Sequence, residues 1–93
     1  MNLTYRSEKY LAWVRRQPCA VCGGHGSEAA HQTLGWGGKA LKAPDTHAVP
    51  LCSACHAESH RQGAHWLDEI IDVKMVIVTL LTRYLKERQD GKA

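Results

Sequence analysis

Two Cys-x-x-Cys pairs and two histidines one helical turn apart are the residues of this chain best suited to do chemistry. The first pair is Cys19 and Cys22, followed by Gly23-Gly24. The second is Cys52 and Cys55, which runs directly into His56 and, four positions on, His60. Four thiolates suit a tetrahedral zinc ion, with Zn–S near ~2.3 Å. Imidazoles at i and i+4 share one face of a helix and can hold a second, more open metal. His31, upstream of that helix, supplies a third imidazole. A neutral imidazole can take a proton from water near pH 7, and a divalent ion can act as a Lewis acid. Those are the parts that phosphodiester hydrolysis requires: a base for the water, and a cation to stabilise the phosphorane charge and the leaving oxygen.

The elements that must position these residues can be read around them. Ser7 caps a helix over about 8–16 with Tyr10, Leu11, Val14 and Trp13 on its apolar side, and Pro18 stops it. Residues 18–24 make a tight knuckle turn in which glycines relieve the backbone. A short strand over 29–33 carries His31, and a second over 48–51 pairs with it. The glycine-rich stretch between them, 34–43, reads as a loop. A helix starts at Cys52 or Ser53, runs over 53–62 and ends at Gly63. Beyond it, apolar residues from Trp66 to Leu85 recur at helical spacing, in one helix or in two with Asp72 as a new cap. The order knuckle, hairpin, helix predicts an α+β domain over 1–93, with a core at about 17–63 and a helical extension at about 64–90. The wide apolar face of the extension would wrap the metal core, or form a homodimer interface through the C-terminal helix.

Composition narrows the classes. With 93 residues and no Phe, the core is small and needs a staple. No secretory leader is evident after Met1, and no apolar run is long enough to span a bilayer, so a reducing compartment and zinc are expected rather than disulfides and a membrane. The net charge of +3 is compatible with a polyanionic partner. Trp36 can stack on a base, and Lys39, Lys42 and Arg61 can meet phosphates without reading sequence.

The stretches Tyr10–Arg15, Gln17–Gly23 and Val49–Gly63, with His31 between them, resemble the HNH, or ββα-metal, endonucleases, and most of all their phage and prophage branch. The resemblance covers about residues 8–67 and implies a treble-clef core flanked by helices. It implies His31 as general base and His56 and His60 as ligands of a catalytic magnesium, manganese, nickel or zinc ion. His47 falls where the family often has an Asn that orients the loop or the base. Asp45 matches an acidic position of the phage branch, and the four cysteines match the ligands of a structural zinc. The implied partner is DNA, cut with low sequence preference, alongside a phage or host recombination protein in the bacterial cytoplasm. Many members carry a metal ligand just before the base, where this chain has Ala30. Two rival readings follow from the same residues: a non-catalytic zinc module that binds DNA or protein, and a thiol-redox protein using its Cys-x-x-Cys pairs.

Overall fold

The structure, a computed structural model, describes residues 5–34 and 43–93. Helix α1 (Glu8–Arg15) starts where the Ser7 hydroxyl accepts the Tyr10 N–H at 3.1 Å. Glu8 in its first turn and Arg15 in its last complement the helix dipole. The knuckle follows. Cys19 N–H donates to Gly24 O and Gly23 N–H to Cys19 O, both at 2.8 Å. This closed turn puts Gly23 at φ +76°, a conformation that a side chain disfavours.

Strand β1 (Ser27–His31) pairs antiparallel with β2 (Ala48–Cys52), in a register that sets Ser27 opposite Cys52 and His31 opposite Ala48. The first strand therefore begins and ends two residues earlier than the sequence suggests. Its start is fixed from outside, because the Ser27 hydroxyl donates to Gln17 O at 2.7 Å. Its end is fixed by a short 3-10 turn, Asp45–His47, which leads into β2. His31 is thus the last strand residue and sits at the loop end of the strand pair, across from Ala48.

Cys52 ends β2 and caps α2 (Ser53–Gln62), so the sheet passes into the helix without a loop. Gly63, at φ +94°, ends α2 and precedes α3 (Ala64–Ile70). The Asp72 carboxylate then accepts the Met75 N–H at 3.1 Å and starts α4 (Val73–Gln89), which settles the extension as two helices.

Two apolar clusters hold these elements. In one, Tyr10, Leu11, Trp13 and Val14 of α1 meet Ala48, Leu80 and Tyr84. The Tyr10, Trp13 and Tyr84 rings lie with centroids 4.8 to 5.9 Å apart, and Trp13 Nε1–H donates to Glu87 at 3.1 Å. In the other, Cys19, Ala30, Val49 and Leu51 of the knuckle and hairpin pack on Leu67, Val73 and Ile77. The extension therefore covers the back of the hairpin. Met75, Val78 and Leu85 of α4 remain exposed on its outer side. No helix among the described residues is long and apolar enough to cross a membrane.

Candidate metal centre and histidine pocket

The knuckle supplies Cys19 and Cys22, and the β2–α2 junction supplies Cys52 and Cys55. All four sulfurs lie within 4.8 Å of one another, and Cys22 Sγ stands 3.7 Å from Cys52 Sγ. A tetrahedral ion with ~2.3 Å bonds to sulfur sets its ligands about 3.8 Å apart. A disulfide would need about 2.05 Å, and all four cysteines are free. The tetrad therefore fits one metal ion such as zinc. Burial pushes the Cys19 thiol up, but N–H groups of Cys22, Cys52 and Val21, with the Cys22 thiol, outweigh it and bring it down to about 6. Burial and the neighbouring thiols of Cys52 and Cys19 push Cys55 up to about 12. The backbone thus already favours one thiolate, and a cation would draw the proton from the others.

Three histidines gather around the strand pair and α2. His31 from β1 and His56 and His60 from α2 line a single pocket of about 230 Å³, with Gln32, Ser59 and Leu67. The His56 and His60 ring centroids are 4.8 Å apart. Among the described residues, the thiol tetrad is the group whose ligand atoms converge on one point, and the imidazoles share their pocket more loosely. Ala30 does not help close it. It is buried in the second apolar cluster, where a small side chain lets the hairpin pack.

A carboxylate stands behind each of two rings. His31 Nε2 lies 2.8 Å from Asp45 Oδ1. Asp45 is 4 % exposed, and it also accepts from Arg6 Nη1 at 3.0 Å and from Ser7 N–H at 2.7 Å. Burial alone would push this carboxyl up, yet the bonds from His31, Ser7 and Arg6 outweigh it and hold it below the usual range. An ionised carboxylate only accepts, so His31 donates to it through Nε2, and the neutral form of the ring has its lone pair on Nδ1. On α2, His56 Nδ1 lies 2.6 Å from Glu28 Oε1. With Nδ1 engaged by the carboxylate, the other ring nitrogen of His56, Nε2, is the one that remains outside this contact.

The family described as "Protein of unknown function (DUF968)" matches residues 2–85. The chain belongs to this family. The DUF968 chain is also 44% identical over 63 residues to "Uncharacterized protein YdfU" of Escherichia coli (strain K12). That match takes in 67% of this chain but 18% of the relative, so the chain corresponds to a small part of a much longer protein. No solved structure matches it.

The remaining sequence candidates of this DUF968 chain fall in different places. His47 sits beside the pocket, where its Nδ1–H donates to Gln32 O at 3.2 Å and braces the turn that follows His31. Arg61, on α2, is forked onto Glu58 through Nε at 2.9 Å and through Nη2. With Gln62, it brings the Glu58 carboxyl down to about 2. Trp36, Lys39 and Lys42 lie outside the described residues. Sequence reasoning missed Glu28 and Arg6. The one available signal for Glu28 was a lone acid among small residues, three positions before His31.

Proposed function

We infer that this chain is the catalytic domain of a metal-dependent endonuclease of the HNH, ββα-metal type, acting on DNA with little sequence preference. The observation that carries the reading is the shared pocket of His31, His56 and His60, with His31 backed by a buried carboxylate. The order of elements supports it: a cysteine knuckle, a pair of antiparallel strands and a helix entered directly from the second strand, as in a treble clef.

In this reading Asp45 holds the His31 ring so that Nδ1 can take a proton from water. His56 and His60 would hold a divalent ion that supplies Lewis-acid stabilisation of the phosphate and leaving oxygen. Two imidazole ligands suit zinc, nickel or manganese, and magnesium can serve if substrate phosphates complete its shell. The thiol tetrad, as a structural zinc site, fixes the first turn of α2 against the hairpin. A phage or prophage setting and a recombination partner come from the resemblance in sequence.

The test is plasmid nicking by metal-stripped protein re-supplied with magnesium, manganese, nickel or zinc, with His31→Ala alongside. Metal-dependent cutting that the variant lacks, at unchanged zinc content, supports the reading. Two observations favour a second reading, a non-catalytic zinc module that binds DNA or protein. Ala30 is buried in the core, and the imidazoles do not close on a point. Zinc-loaded protein that fails to cut with every metal supplied would favour that alternative, or a nuclease that needs a partner protein.

A further inference from the structure

We propose that Glu28 is a positioning residue that sets the tautomer and ring plane of His56 and so presents the Nε2 lone pair of His56 to a divalent cation. The proposal rests on the reading of His56 and His60 as the metal-binding pair.

The contact ties the side chains of β1 and α2 together on the flank of the histidine pocket. Glu28 lies on β1 directly across from Leu51, one residue before the Cys52 cap of α2. From there its carboxylate reaches the second turn of the helix and meets His56 Nδ1 at 2.6 Å. The Glu28 side chain is 51 % exposed and the His56 ring 25 %. As a bare surface ion pair, such a contact would contribute little to stability. Its effect on the imidazole is larger. A neutral ring with no acceptor divides its proton between two nitrogens, and the form protonated at Nε2 cannot bind a cation there. An acceptor at Nδ1 removes that form. It also stops the ring from turning away from His60, whose ring lies 4.8 Å off and tilted by 33°. Carboxylate behind imidazole behind metal is a recurrent device in metal sites, and its loss typically weakens metal affinity by about 10- to 100-fold. In this chain the device carries added weight, because the position before His31 is Ala30, which is buried and offers no ligand.

The experiment titrates Ni²⁺ into zinc-loaded chain, read by calorimetry, and Co²⁺, read by its visible spectrum. The proteins are wild type, Glu28→Ala, Glu28→Gln and His56→Ala, each with its thermal midpoint measured before the second metal is added. We expect wild type to take one ion beyond the tetrad zinc and His56→Ala to lose it. Glu28→Ala should bind about 10- to 100-fold more weakly. Glu28→Gln, whose amide oxygen accepts the same bond without charge, should recover most of the affinity. Its retained bond also keeps the comparison on folded protein. Glu28→Ala binding as tightly as wild type, while His56→Ala does not bind, would overturn the positioning role alone. Wild type that takes no second ion would overturn the metal-binding reading of His56 and His60, and this assignment with it.

Discussion

Asp45→Asn is the most informative single change to the polar frame behind His31. The native carboxylate accepts from three donors, namely His31 Nε2, Arg6 Nη1 and the Ser7 N–H, while 4 % exposed. Asn keeps the volume but offers one acceptor oxygen, and its NH₂ must then face a donor. The Arg6 side chain is 42 % exposed and the His31 side chain 35 %, so both can turn to water. The Ser7 N–H sits at the start of α1 and has less freedom. Charge-assisted bonds are worth about 1.5–3 kcal/mol each when made in protein, so with two donors partly rehydrated the loss comes to about 2–4 kcal/mol. For a domain this size that lowers Tm by roughly 10–25 °C.

The pH dependence has a definite sign. The folded pKa lies below the unfolded value of about 3.9, so the stabilisation is fully present above that value. It disappears as pH falls through the folded pKa. The assay is thermal unfolding by circular dichroism of wild type and Asp45→Asn, both zinc-loaded, from pH 7 downward. Zinc must stay bound for the comparison, so it ends at the pH where acid first releases the metal, and down to that point the gap between the two proteins should not shrink. Equal stability at pH 7, or a gap that closes while zinc is still bound and the pH lies above the ordinary carboxylate range, would refute the account.

Three further outcomes follow from the packing. Cys22→Ala, or removal of metal by a chelator, should abolish cooperative unfolding, because zinc binding at the tetrad is in effect folding energy; a sharp melt in either case would argue against the staple. The Tyr10 hydroxyl is buried with no hydrogen-bond partner among the described residues, and burial with the nearby Tyr5 and Tyr84 pushes it up to about 12. Tyr10→Phe should therefore be neutral or stabilising by about 1 kcal/mol in denaturant melts, and a clear loss would mean the hydroxyl has a partner. Leu51 is fully buried between hairpin and extension, so Leu51→Ala should cost about 2–5 kcal/mol by the same measurement, and a near-neutral result would place the core elsewhere.

Where local chemistry decides an element, the sequence is legible. The Ser7 cap, the Gly63 stop of α2 and the Asp72 cap all stand where their residue types suggest. The Cys-x-x-Cys spacing likewise announces the tetrad. Strand β1 is less legible because Ala29 and Ala30 carry no β-forming side chains of their own. Its limits come from Gln17 and from pairing with β2. Contacts made across the fold leave no trace in spacing. Glu28 meets His56 over 28 positions, and Arg6 meets Asp45 over 39, so the groups behind the two histidines emerge only in three dimensions.

The meeting of α1 and α4 has a kinetic consequence. Trp13 and Glu87 are separated by 74 positions, whereas the thiols and the three pocket histidines lie within one stretch from Cys19 to His60. Closing a long chain segment costs more entropy than closing a short one and slows folding. We therefore expect the metal-bound hairpin and α2 to assemble first, and the two outer helices to clasp afterwards. Trp13, wedged between Tyr10 and Tyr84, would report that late event by its fluorescence, as a phase separate from zinc uptake.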